Sequence, residues 1–289
     1  MGAADVVPGV SGGTIALVLG IYNKLIATVR SGARALGMLL KGDLKGFWKR
    51  FTSIDWLFLA PLIAGIGIAV VSLAPIIETQ LHDNPEEMAG LFFGLVTGSV
   101  TVGLGLLTKR TNEHVVIMLV VGVAVFQLLG FQSGPVIDPS PLVFVGAGAL
   151  AICAMILPGI SGSFILLMMG MYAAVLGAVH DQAFTDIALV GIGAIIGLAL
   201  FSSLLGWVLD SQFNRVMAAL IGLMLGSLRV LWPWPNGVGV VAEDESEVID
   251  GTGLEWPTNV DAFVGPAVLA VVGFSLVMVL TQVGRRYES

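Results

Sequence analysis

The chain has 289 residues, of which 56% are hydrophobic and only 11% charged, and its mean hydropathy is +0.96. A soluble domain carries roughly 25% charged residues, so this much apolar surface calls for a bilayer as its solvent. The formal net charge of −7 argues against nucleic acid as a partner, and the single Cys153 excludes an intrachain disulfide. No metal-ligand spacing is present and nothing calls for a cofactor.

In chain order, the first apolar region, 5–29, is broken at Pro8-Gly9-Val10-Ser11-Gly12-Gly13. Proline removes a backbone donor and glycine loosens a helix, so the break frees backbone groups. Those groups are tolerated at membrane depth only inside protein or beside a wet cavity. A basic stretch follows. Seven of the thirteen Lys and Arg fall in 24–50, which places that segment in the cytoplasm, with a short amphipathic helix on the membrane surface. Apolar runs of spanning length come next at 55–78, 87–107 and 114–131. A second broken region, 141–180, carries Pro158-Gly159-Ile160-Ser161-Gly162-Ser163. The last spans are expected at 186–209, 215–232 and 262–282.

Lys109, Arg110, Arg215, Arg285 and Arg286 mark further cytoplasmic ends, the C-terminus among them. The acidic stretches around Glu78 to Glu87 and through 233–261 belong outside. Trp56 and Trp207 then fall at the inner interface, Trp232 and Trp234 at the outer one. For these sides to agree, 1–29 must start and end inside and 141–180 must start and end outside. Both read as re-entrant hairpins, dipping in from opposite faces of the cytoplasmic membrane.

The two broken regions are copies. Over 8–22 against 158–172, eight of fifteen residues are identical, including Pro8/Pro158, Gly9/Gly159, Ser11/Ser161, Gly12/Gly162, Gly20/Gly170 and Tyr22/Tyr172. A second match pairs 92–100 with 220–228, through Gly94/Gly222, Gly98/Gly226 and Ser99/Ser227. The expected fold is therefore all-α and integral to the membrane, with two inverted-topology repeats. Residues 1–131 hold the hairpin 1–29, the cytoplasmic basic segment 30–54 and three transmembrane helices. Residues 132–289 hold the hairpin 141–180, three transmembrane helices and the acidic outer loop 233–261. Inverted repeats with broken helices are a transporter signature; the alternative is a duplication kept for folding alone.

The helix after each turn is expected to begin near Thr14 or Phe164. Its first amides lack intrahelical partners, which suits an anion such as phosphate. The candidate binding residues are Ser11, Gly12, Gly13 and Thr14 in the first copy and Ser161, Gly162 and Ser163 in the second. Pro8, Gly9, Pro158 and Gly159 form the turns. The serines alternatively only cap their helices. Arg229 either grips phosphate oxygens or snorkels to the outer interface. Asp5 is either a protonatable coupling group or a cap.

The stretches GAADVVPGVSGGTIALVLGIY (2–22), LPGISGSFILLMMGMY (157–172) and GLMLGSLRVLWPW (222–234) resemble the PopT family of bacterial and archaeal membrane proteins, identified as undecaprenyl phosphate translocases. The resemblance covers nearly the whole chain. It implies return of the polyprenyl phosphate carrier lipid from the outer to the cytoplasmic leaflet, for cell-envelope glycan synthesis. It also carries over Asp5, Pro8 to Thr14, Pro158 to Ser163, and Arg229 as the site region. A homo-oligomer is compatible with it. One departure is that only seven residues precede Pro8, whereas 141–157 supplies a full arm before Pro158, so the sequence reads as one that begins late.

Three rival readings remain. Gly-x-Ser-Gly is similar to the serine motif of rhomboid proteases, and Pro-Gly-x-Ser to that of undecaprenyl pyrophosphate phosphatases. However, no histidine lies inside a span to act as base, and Gly12 and Gly162 stand where the phosphatase motif has arginine. An enzyme is therefore not expected. A small-anion transporter or channel is the stronger rival, and a non-transporting scaffold the third.

Overall fold

The computed structural model describes residues 1–2, 11–130, 136–235, 254–257 and 259–288. Asp5, Pro8 and Gly9, and most of the acidic outer loop, lie outside the described residues.

Among the described residues the secondary structure is helical throughout. The helices are α1 (Gly12–Val18), α2 (Tyr22–Leu40), α3 (Leu44–Thr52), α4 (Trp56–Asp83), α5 (Pro85–Leu106), α6 (Asn112–Leu128), α7 (Pro141–Ile156), α8 (Gly162–Met168), α9 (Tyr172–His180), α10 (Phe184–Ser227) and α11 (Val260–Glu288). Helices α4, α5, α10 and α11 are long and apolar enough to cross a bilayer. Helix α6, at 17 residues, is about 26 Å long, slightly under a typical hydrocarbon core. The protein is a multi-pass, all-helical membrane protein.

Several expected boundaries move. The spans 186–209 and 215–232 are one helix, α10, broken at Gln212 (φ −138°, ψ 46°). Its two arms fold back on each other, since Phe201 and Leu204 before the kink line the same apolar cavity as Leu220 and Leu223 after it. The second arm stops at Ser227, so Arg229 follows the helix in a run of turns. Helix α2 runs through 29–30, where the sequence divides hairpin from basic segment. Helices α1 and α8 begin at Gly12 and Gly162, two residues before the expected starts.

Glycines set the tight helix crossings. A Cβ on Gly94 would strike the Ala270 carbonyl of α11, and one on Gly273 would strike Leu91 of α5. On the other side, a Cβ on Gly222 would strike Met118 of α6, and one on Gly226 would meet the Gly122 carbonyl. Small residues that let backbones touch are how helices associate in lipid, where no hydrophobic force separates them from their solvent. The pattern is reciprocal. Helix α5 and the second arm of α10, which carry the matched pair Gly94/Gly222, each pack on another span in this way, α5 on α11 and the second arm of α10 on α6. Helix α7 likewise sits on the first arm of α10 through Gly148, Gly193 and Gly197, and Gly2 sits against Ile66 of α4.

Each short helix after a turn ends in the same way. Gly20 (φ 72°) and Gly170 (φ 66°) adopt the left-handed conformation. Gly20 donates to Leu17 and Ile21 to Ala16; Gly170 donates to Leu167 and Met171 to Leu166. This is the Schellman closure, in which a left-handed glycine lets the last carbonyls find donors. It produces a second break in each copy, and α8 and α9 meet at 114°.

Candidate functional site

Helix α7 ends because Pro158 follows, and its last carbonyls lose their intrahelical donors. The first copy supplies them. The Ser11 hydroxyl lies 3.0 Å from both the Met155 and the Leu157 carbonyl oxygens, and the Tyr22 hydroxyl donates to Ile156 at 3.3 Å. In return, the Gly159 amide donates to the Thr14 Oγ1 at 2.8 Å. Ser11 and Thr14 are each 1% exposed, so these bonds lie in the interior. Ser11 and Thr14 are thus bonded to the second turn and to the helix end before it, 144 to 146 positions away in sequence.

Two glycines make the approach possible. A Cβ on Gly13 would lie 2.6 Å from the Ile156 carbonyl oxygen. Gly159 has φ +91°, a conformation that L side chains rarely adopt, and it packs against Met224 and the Ser227 hydroxyl of α10. Helix α1, the second turn and the second arm of α10 converge at this point.

The two copies use their donors differently. Ser11 caps α1: its Oγ accepts from the Gly13 amide at 3.0 Å, and its carbonyl accepts from the Thr14 amide at 2.9 Å. Capping therefore describes Ser11, and the first amides of this copy are already engaged. Ser161 occupies the equivalent position but its side chain caps no amide. Its Oγ instead pairs with the Ser163 Oγ at 2.7 Å. Ser161 is 5% exposed, Ser163 half-buried. Two hydroxyls carry two hydrogens, and their mutual bond uses one. The second has no acceptor among the described residues. Gly162 is fixed in place, since a Cβ there would meet Met155 at 2.7 Å and the Ala151 carbonyl oxygen at 2.8 Å.

Arg229 lies elsewhere, at the end of α6. Its guanidinium covers the Phe126 ring at 4.8 Å, and a Cβ on Gly130 would touch it at 2.6 Å. The site therefore brings together Ser11, Gly13, Thr14, Gly159, Ser161, Gly162 and Ser163, and sets Arg229 against α6. The sequence reading gave no role to Tyr22, Gly20 or Gly170, although the repeat matched all of them. A left-handed C-terminal glycine followed by a new apolar helix was the legible signal.

The sequence matches, over residues 1–249, the family described as VCA0040-like, undecaprenyl phosphate translocase-like. The chain belongs to this translocase-like family. It is 41% identical over 235 residues to a polyprenyl-phosphate transporter of Vibrio cholerae, covering 81% of this chain and 75% of the relative. It is 31% identical over 306 aligned positions to a polyprenyl-phosphate transporter of Staphylococcus aureus, covering 100% of this chain and 95% of the relative. No solved structure matches.

Proposed function

We propose that this protein transports polyprenyl phosphate, returning it from the outer to the cytoplasmic leaflet of the cytoplasmic membrane, and that it acts as a carrier and not as an enzyme. Family membership and two relatives named as polyprenyl-phosphate transporters support the substrate. A phosphate headgroup cannot cross hydrocarbon unaided, because burying its charge there is costly. The isoprenoid tail can remain in lipid throughout, so the protein need only shelter the head.

The observation that carries the reading is the Ser161–Ser163 hydroxyl pair beside the buried junction of the two turns. Its spare hydroxyl hydrogen and the uncapped start of α8 are donors that a phosphate oxygen satisfies. In this reading Ser161, Gly162 and Ser163 touch the headgroup. Ser11, Gly12, Gly13 and Thr14 hold the second turn in place, with Pro158 and Gly159 shaping it. Arg229, at the outer end by the positive-inside assignment, meets the incoming anion first. Asp5 is the proposed coupling carboxylate. The matched turns and the reciprocal glycine crossings support two halves of opposite orientation, which would rock about the junction. Segment 24–50 and the C-terminus face the cytoplasm in this arrangement.

The test is a reconstituted assay in proteoliposomes that follows labelled polyprenyl phosphate between leaflets, with the matching polyprenol, chloride and inorganic phosphate as separate arms. Movement of the lipid phosphate alone, lost in a Ser161→Ala/Ser163→Ala double variant, is expected. Chloride or inorganic phosphate flux without lipid movement would overturn the lipid assignment.

A further inference from the structure

A cleft of about 290 Å³ lies between α2 and the first arm of α10, just before the Gln212 kink. One stripe of α2 lines it with Asn23, Arg30 and Arg34, at helical spacing i, i+7, i+11. Gly206 of α10 makes the room: a Cβ there would meet the Arg30 Cδ at 3.0 Å and its Nη1 at 3.2 Å. Arg30 donates from Nη1 to Asp210 at 2.9 Å. Its side chain is 20% exposed while that of Asp210 is 74% exposed, so the cation sits inside and its counter-ion in the open. The Arg30 Nε is buried and has no hydrogen-bond partner among the described residues.

A guanidinium has five N–H donors arranged as a fork that fits oxyanions in pairs. One carboxylate oxygen on one nitrogen leaves most of that capacity unused, and a buried N–H without an acceptor is costly. A tetrahedral oxyanion in the cleft would bond Nε and a terminal nitrogen together and also reach Arg34. Just beyond the cleft along α10, Arg215 pairs with Glu113 at 2.7 Å and Asn214 accepts from Thr108. The cleft is also joined to the turn junction by one helix. Tyr22, at the start of α2, bonds Ile156, and Arg30 lies eight residues on, about 12 Å along the axis.

We propose that this cleft is a second phosphate site, in which Arg30 and Arg34 receive the headgroup at the cytoplasmic end of its path and Asp210 is the counter-ion it displaces. Naming the lipid headgroup as occupant rests on the proposed function; inorganic phosphate offers the same chemistry.

The test uses the full chain in nanodiscs and the rate at which phenylglyoxal modifies each arginine, read by mass spectrometry. The probes are a short-chain polyprenyl monophosphate, the matching polyprenol and inorganic phosphate. The monophosphate is expected to slow modification of Arg30 and Arg34 about tenfold, the scale of a charge-assisted pair, while the polyprenol does nothing and Arg215 is unaffected. Arg30→Gln should abolish protection of Arg34, and Asp210→Asn, which keeps the cation and frees the fork, should strengthen it. Protection by inorganic phosphate alone overturns the lipid headgroup as occupant. No protection by either phosphate probe, or undiminished protection of Arg34 in the Arg30→Gln protein, overturns the site. The Ser161→Ala/Ser163→Ala variant separates the two claims. Normal lipid transport in that variant with arginine protection intact overturns the junction site and supports the cleft. Lost transport in it, with no protection in the parent protein, overturns the cleft alone.

Discussion

Replacing Thr14 by valine isolates the bond that joins α1 to the second turn. Valine keeps the shape of threonine but removes the Oγ1 that accepts from the Gly159 amide at 2.8 Å. The position is 1% exposed, so no water takes its place readily. An orphaned buried N–H costs about 1–3 kcal/mol, and membrane depth raises rather than lowers that cost. Gly159 cannot swing its amide elsewhere at low cost, because its Cβ direction is blocked by Met224 and Ser227 and its φ is already +91°. At 1.4 kcal/mol per factor of ten, the locked arrangement loses between about fivefold and 150-fold of its population advantage. The expected result is a lower unfolding temperature in detergent and strongly reduced lipid transport in proteoliposomes. Thr14→Ser retains the oxygen and should recover most of both. A Thr14→Val protein that matches the parent in stability and in transport would refute the claim that α1 is held to the second turn by this bond.

Four further outcomes follow from the same geometry. Ser11→Ala removes the α1 cap and the donor to Met155 and Leu157, and should cost about 0.5–2 kcal/mol in thermal unfolding. Gly13→Ala pushes a methyl to 2.6 Å from the Ile156 carbonyl oxygen, a strain of about 1–3 kcal/mol that forces the turns apart. Its transport loss should exceed that of Gly37→Ala, where nothing lies within 4 Å. Arg229→Ala should slow uptake from the outer leaflet without loss of expression, measured as accumulation of outer-leaflet carrier lipid. Asp55, which caps α4, is held below its ordinary value of 3.8 by the hydrogen bond from Lys24 and then by the Phe58 amide. A lowered carboxylate contributes its tie between α2 and α4 above the ordinary aspartate range and loses it as pH falls through the lowered value. Asp55→Asn should therefore flatten the acid limb of the unfolding-temperature profile below about pH 4.

Much of this architecture was legible from spacing and charge. Apolar run lengths located the spans within a few residues, because a hydrocarbon core of fixed thickness sets helix length. The second turn was found at Pro158-Gly159, because proline and glycine leave a local signature whatever the tertiary context. What the sequence did not reveal came from two sources. The division between the spans 186–209 and 215–232 was legible in the polar run Asp210 to Asn214, but not that it narrows to one non-helical residue, Gln212, with an ordinary side chain. The Arg30 to Asp210 pairing joins residues 180 positions apart, so only the packing of α2 on α10 could reveal it. Arg229 was read from its place in an apolar segment, but the helix ends at Ser227 and the guanidinium lies over the Phe126 ring, a contact of long range in sequence.

The asymmetry of the site was also written in the sequence, at the two places where the copies differ beside the shared Ser-Gly. Position 13 is glycine and its counterpart 163 is serine; position 14 is threonine and its counterpart 164 is phenylalanine. Gly13 admits the Ile156 carbonyl and gives its amide to Ser11, while Thr14 accepts from Gly159. Phe164 has no oxygen to offer, and Ser163 draws the Ser161 hydroxyl to itself and away from the helix start. Two residue pairs thus turn a duplicated motif into one clamp and one open set of donors. Ser163→Gly should convert the open copy toward the clamped one, with Ser161 capping the amide of residue 163 as Ser11 caps Gly13. That variant should fold at least as well as the parent, since it gains a cap worth about 0.5–2 kcal/mol. It should nevertheless transport polyprenyl phosphate poorly, because the donors that the proposed site offers the headgroup are then consumed internally. Stability maintained with transport lost is the signature of a binding role. Stability and transport both unchanged would mean that the serine pair takes no part in holding the lipid.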